Sequence, residues 1–213
     1  MQSATRKIVG TALFAALSFV VSLLEFPIFP AAGFLKLDFS AVFTLLGGFM
    51  YGPVAALVIC AVKELIRFAM GSGTGGVGEI ANFVVTAAFI IIPTTVYRFK
   101  KGLPVVIITL IAGIFLQVCA AVIANRFIMF PLYMGDGAAS AFSSLWYYII
   151  FFNLIKGFSV SVIVMILYKR VSWLFKKINL RNPAENDTIN NNMENDNAKV
   201  SAENAANAEK VPK

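Results

Sequence analysis

The sequence predicts an all-α integral membrane protein with six transmembrane helices and both termini in the cytoplasm. Three observations predict it. Of 213 residues, 59% are hydrophobic and 14% charged, and the mean hydropathy is +0.79. Soluble domains run about 45–50% apolar and about 25% charged. The apolar residues fall into runs that approach the roughly 20 needed to cross a bilayer. The basic residues gather at three places that an even number of spans puts on one side, as the positive-inside rule requires.

The elements follow in order. Arg6 and Lys7 precede span one, about Ile8–Leu24. It is too long for the apolar core of a signal peptide, and no cleavage site leads into a soluble domain, so it reads as a membrane helix. Span two, about Phe39–Tyr51, is short and glycine-rich and is expected to cross incompletely or to be half covered by its neighbours. Tyr51-Gly52-Pro53 is a tight link to span three, about Pro53–Met70. Span four covers about Ile80–Tyr97, and a basic link with Arg98, Lys100 and Lys101 leads to span five, about Pro104–Ile128. Span six, about Leu145–Leu167, is followed by Lys169, Arg170, Lys176 and Lys177.

Residues 1–180 carry 14 Lys/Arg against 5 Asp/Glu and form one membrane domain. Residues 181–213 carry 4 against 6, with repeated Asn, Glu and Ala, and are expected to be a disordered polar cytoplasmic tail. The sequon Asn186-Asp187-Thr188 lies in that tail and carries no weight there. The links Glu25–Asp38, Gly71–Glu79 and Met129–Ser144 then face outward. They are the longer ones, and function concentrates on longer loops held by a rigid scaffold. A site open to external solute is expected on that side.

Composition also excludes. The chain has no histidine, the commonest general base and neutral metal ligand. Its cysteines, Cys60 and Cys119, lie inside apolar runs and indicate no disulfide framework. No catalytic residue, metal site or resident cofactor is predicted. Gly71-Ser72-Gly73-Thr74-Gly75-Gly76 formally matches a dinucleotide fingerprint but lacks the strand and βαβ context that give the motif meaning. No phosphate-loop GxxxxGK[ST] occurs, so any uphill transport must be energised by a partner or an ion gradient. Nucleic acid is excluded as a partner because topology accounts for the basic residues; the partner of the apolar surface is the lipid bilayer.

Charged residues inside the spans are the informative ones, since each is costly unless paired or solvated. Lys63, Glu64 and Arg67 sit near the outer end of span three. The structural reading is snorkelling to the outer interface, with Glu64 pairing Arg67 at i,i+3. Lys156 is about eleven residues into span six, near mid-depth at about 1.5 Å per residue. Asn153 shares its face at i−3, and Asn125, beside Arg126, ends span five. Three polar side chains below an outward loop predict a polar pocket; bonding between helices is the alternative. Small residues form close-packing faces at Ala12, Ala15 and Ala16 in span one and at Gly48 and Gly52 in span two. These serve either internal packing or docking to another membrane subunit.

Several blocks of sequence carry a resemblance: Phe26-Pro27-Ile28-Phe29-Pro30 with Phe34-Leu35-Lys36-Leu37-Asp38-Phe39-Ser40; Tyr51-Gly52-Pro53-Val54-Ala55; Ala81-Asn82-Phe83; Asn125 with Phe130-Pro131-Leu132-Tyr133; and Phe152-Asn153-Leu154-Ile155-Lys156-Gly157. In this order and spacing, over about residues 5–177, the chain resembles the substrate-binding S components of energy-coupling factor (ECF) transporters, and most of all their riboflavin-specific branch. The resemblance implies a six-helix prokaryotic cell-membrane protein whose outward pocket captures riboflavin as transported ligand. It implies docking through Ala12 and Ala16 to a transmembrane coupling subunit driven by two cytoplasmic ATPase subunits. It implies that Asn125 and Lys156 meet the pyrimidine edge of the isoalloxazine, with Asn82 and Asn153 in the same site. Phe34, Lys36, Leu37 and the backbone at Gly78 would face the ribityl chain and the ring.

The leading expectation is therefore a riboflavin-binding S component, a transport protein and not an enzyme. One alternative is an S component for another vitamin, such as thiamine. Another is an ion-coupled carrier, which would show inverted repeats with broken helices. An integral-membrane enzyme would need clustered acid/base or metal ligands.

Overall fold

The computed structural model describes residues 2–71 and 73–179; the polar tail expected from Arg181 onward lies outside them. The described residues are almost entirely helical. Helix α1 is Gln2–Ser22, α2 Ser40–Tyr51, α3 Pro53–Ala69, α4 Val77–Phe99, α5 Leu103–Ala124, α6 Phe130–Met134 and α7 Ala138–Asn179. Residues 1–166 form one compact unit, and the second begins at Leu167, within α7.

The α2–α3 joint and the start of α5 have local causes. Gly52 ends α2 at φ +99°, a conformation that costs glycine nothing, and its N–H closes on the Gly48 carbonyl at 2.8 Å. Pro53 then opens α3, where its missing N–H is no loss. Pro104 does the same near the start of α5.

The α1–α2 link is built, not slack. Phe26–Pro27 (β1) pairs antiparallel with Lys36–Leu37 (β2), with a 3₁₀ turn at Pro30–Ala32 between them. Ala32, Leu35 and Leu37 are buried against Ala121, Phe130, Ala138, Ile149 and Phe152, so this link seals onto the ends of α5, α6 and α7.

The Met129–Ser144 link expected as an outward loop is helical instead. A π-helical turn at Asn125–Met129 runs into α6, and a 3₁₀ turn at Gly135–Gly137 leads into α7. Backbone groups near an apolar medium must find partners in the chain, and helix does that without gaps.

The surface is inverted relative to a soluble protein. Ile8, Leu13, Val54, Ile108, Phe115, Phe151 and Phe158 are exposed on the helices, Phe115 by 73%, while Lys63 and Lys156 are buried. Among the described residues, Val77–Phe99 and the stretch Leu103–Tyr168 are long and apolar enough to cross a membrane by length and composition. Lys7–Ser22 and Ser40–Tyr51 are shorter apolar helices. With 12 residues, α2 extends about 18 Å at about 1.5 Å per residue, short of a hydrocarbon core of about 30 Å.

Helices α4 and α5 pack at a glycine. A Cβ on Gly113 would lie 2.5 Å from the Phe89 carbonyl oxygen and 3.3 Å from Pro93 Cγ. Backbone cannot yield there, so Gly113→Ala is expected to force the helices apart at a cost of about 1–3 kcal/mol, read as a lowered Tm in detergent. Gly48 likewise faces Thr94 and Ala56 and serves internal packing, whereas a Cβ on Gly52 would have no neighbour within 4 Å.

Candidate ligand-binding cavity

A cavity of about 820 Å³ opens among the α1–α2 link, the α3–α4 link, α6 and the facing sides of α3, α4, α5 and α7. Sites for drug-sized ligands span about 300–1,000 Å³. Phe34, Lys36, Gly78, Asn82, Asn125, Asn153 and Lys156 all line it.

Its mouth is tied by polar contacts between links. Glu25 holds Lys36 at 2.8 Å and Arg67 at 2.7 Å, and Arg67 also donates to the Ser22 carbonyl at 2.7 Å. The Tyr133 hydroxyl donates to the Thr74 carbonyl at 3.0 Å, joining α6 to the α3–α4 link. Phe34 projects from the α1–α2 link, edge-on to Phe130 at 5.8 Å.

The buried end is polar. Lys156 is 6% exposed; its ammonium lies 2.7 Å from Asp38 Oδ2 and 3.4 Å from Asn82 Oδ1. Asp38 Oδ1 accepts from the Ser40 N–H at 2.9 Å and from the Ser40 hydroxyl, a two-residue turn that fixes the carboxylate at the entry to α2. Asn82 Nδ2 donates to Glu64 Oε1 at 2.5 Å. From α5, Gln117 Nε2 donates to Asn153 Oδ1 at 3.2 Å, and Asn153 Nδ2 donates to the Ile149 carbonyl at 2.8 Å. Asn125 sits in the π turn and donates to the Ala121 carbonyl at 2.8 Å. Such single π turns inside helices recur at functional sites because they re-aim side chains.

The donor and acceptor inventory follows from these bonds. An ammonium has three N–H groups; among the described residues Lys156 gives one each to Asp38 and Asn82, which leaves one for the cavity. Asn125 keeps its second N–H and its carbonyl oxygen, so it can donate and accept side by side. Asn153, with its oxygen engaged by Gln117, offers a donor.

Several expectations change here. Leu37 does not face the cavity. It is buried in the cluster with Phe130 and Phe152, because strand alternation turns Lys36 outward and Leu37 in. The Gly78 N–H is already bonded to the Thr74 hydroxyl at 3.1 Å, so at that position the backbone donor is engaged. Lys63 does not snorkel: it is 1% exposed, 2.6 Å from Glu64 Oε1. Glu64 pairs with Lys63 and not with Arg67, which turns to Glu25 across the link. The reason is burial: a fully enclosed ammonium needs a carboxylate at contact, whereas Arg67 at the rim is partly solvated. Asp38, Ser40 and Gln117 were missed. The signal for Asp38 was its scarcity, one of five acids before residue 181 in a chain that buries lysines.

Of the docking residues, Ala12 and Ala16 are exposed while Ala15 is buried, so the first two present an open small-residue face.

Comparison with known proteins gives one family. Residues 6–168 match the family described as "ECF transporter, substrate-specific component". The chain is 32% identical to "Riboflavin transporter RibU" of Staphylococcus aureus (strain TCH60), over 81% of this chain and 94% of that protein. It is 28% identical to "Riboflavin transporter FmnP" of Bacillus subtilis (strain 168), over 79% and 94%. A solved structure reported as "Structure and mechanism of the S component of a bacterial ECF transporter" superposes with a TM-score of 0.72 at 31% identity, covering 81% of this chain and 99% of that one. The chain thus belongs to the substrate-specific S components of ECF transporters.

Proposed function

We propose that this chain captures riboflavin at the outer face of the cell membrane for ATP-driven uptake. In this reading six helices cross the bilayer, both termini are cytoplasmic, and the cavity mouth faces outward. The energy comes from partners: a transmembrane coupling subunit docked on Ala12 and Ala16, and two cytoplasmic ATPase subunits. The chain itself is a binding and transport subunit, not an enzyme.

The observation that carries the reading is the set of hydrogen-bonding groups at the buried end of the cavity, in a chain similar to riboflavin transporters. The pyrimidine edge of an isoalloxazine alternates carbonyl acceptors with an N–H donor. Asn125 can accept from that N–H and donate to an adjoining carbonyl, while Lys156 and Asn153 supply donors to the remaining acceptors. The apolar part of the ring fits beside Phe34 and Phe130, both of which line the cavity. Lys36, Asn82 and the wall at Gly78 then flank the ribityl chain, and Leu37 supports the wall from behind.

Purified protein in detergent is expected to be yellow after growth with riboflavin. It should quench riboflavin fluorescence saturably, at one ligand per chain, and leave thiamine unbound. Absence of quenching by any flavin would remove the cargo assignment.

A further inference from the structure

Lys63 is an unexplained cation. It is 1% exposed and does not line the cavity, so it neither meets solvent nor reaches a ligand. Yet it belongs to a closed circuit of six side chains. Its ammonium donates to Ser40 Oγ at 3.0 Å and lies 2.6 Å from Glu64 Oε1. One arm runs from Ser40 to Asp38 and on to Lys156. The other runs from Glu64 to Asn82 and on to Lys156. Both arms starting at Lys63 end on the same ammonium.

Resting on the riboflavin reading above, we propose that Lys63 is a positioning residue for ligand recognition. Through its two arms it holds both partners of Lys156 and so fixes which N–H of Lys156 points into the cavity. The circuit contains two ammonium groups and two carboxylates, so its charges balance. A charge buried away from water keeps its place only while its partners satisfy it. Without the Lys63 charge, Asp38 and Glu64 compete for Lys156 alone. Glu64 is poised to compete, since its Oε2 is buried with no hydrogen-bond partner among the described residues. Lys156 would then be drawn toward Glu64 and away from the position set by Asp38.

The circuit also reaches α1. The Ser18 hydroxyl donates to the Ser40 carbonyl at 3.0 Å and lies 3.1 Å from the Thr44 hydroxyl. The six members of the circuit come from α3, α4, α7 and the entry to α2, and the groups in contact with the Lys63 ammonium are Ser40 and Glu64.

The test measures riboflavin affinity and the visible absorption spectrum of bound flavin, which reports hydrogen bonding at the ring edge. Lys63→Met is expected to bind at least tenfold more weakly, with a shifted spectrum, although it touches no ligand. Lys63→Met combined with Glu64→Gln restores charge balance and is expected to recover most of the affinity and the wild-type spectrum. Ser40→Ala, which cuts one arm without changing charge, should weaken binding several-fold with a shift in the same direction. It also serves if Lys63→Met does not fold. Wild-type affinity and spectrum in Lys63→Met or in Ser40→Ala overturns the proposal. So does a Lys63→Met protein that binds weakly with an unshifted spectrum and is not rescued by Glu64→Gln. If the wild-type protein binds no flavin, the cargo reading fails first and takes this inference with it.

Discussion

Replacing Lys156 with alanine is expected to weaken riboflavin binding and to destabilise the protein in the same step. The ligand loses a charge-assisted hydrogen bond to its ring edge, worth about 1–3 kcal/mol, or roughly 5- to 150-fold in Kd. The larger effect is on the protein. Asp38 sits 4% exposed with its Oδ2 on the Lys156 ammonium. Removing one partner of a buried pair costs about 3–5 kcal/mol, because the other charge is stranded. The two effects separate in the double variant Lys156→Met/Asp38→Asn, which removes both charges. Its Tm in detergent should return toward wild type, while fluorescence titration should still show the binding defect. Unchanged affinity in Lys156→Ala would eliminate the residue from the site.

Bulky residues on the open face of α1 should give the opposite pattern, with binding intact and transport lost. Ala12 and Ala16 are exposed and about one turn apart, whereas Ala15, turned toward the packed flank of the helix, is buried. Close approach of a partner helix needs small side chains on such a face. Ala12→Trp with Ala16→Trp is expected to leave riboflavin quenching at wild-type strength. Co-purification with the coupling subunit and cellular riboflavin uptake should fall to background. Uptake that persists in the double variant would show that this face does not dock the coupling subunit.

Much of the helix pattern was legible because its causes are local. Gly52 and Pro53 mark the α2–α3 joint, and Pro104 opens α5, because backbone freedom and a missing N–H act at one or two positions. Lys156, Asn153 and Asn125 were legible as site candidates for a similar reason: a polar side chain in an apolar run stands out by itself. The structure brings all three to one cavity. Leu37 was misplaced because the two-residue strand that turns it inward exists only through its pairing with Phe26 and Pro27. The Met129–Ser144 stretch read as loop because Pro131, Gly135 and Gly137 are turn residues by local propensity. Packing of Phe130 and Ala138 into the core supplies what propensity lacks.

Charge partners were the least legible feature. Lys63, Glu64 and Arg67 are neighbours on one helix, and sequence spacing pairs Glu64 with Arg67. The fold instead pairs Glu64 with Lys63 and sends Arg67 to Glu25, 42 residues away. Spacing sees only the partners a helix offers itself.

The amino-acid sequence alone determined the family, the run of apolar helices and the residues that do not belong in hydrocarbon, because hydropathy, turn chemistry and short motifs are written into adjacent positions. Tertiary structure alone decided how those residues are neutralised. Lys156 meets Asp38 across a separation of 118 residues, and a contact of that range depends on four helices and a folded link meeting at one point. Coulomb attraction and desolvation act through space at a few ångströms, and no interval along the chain encodes that distance.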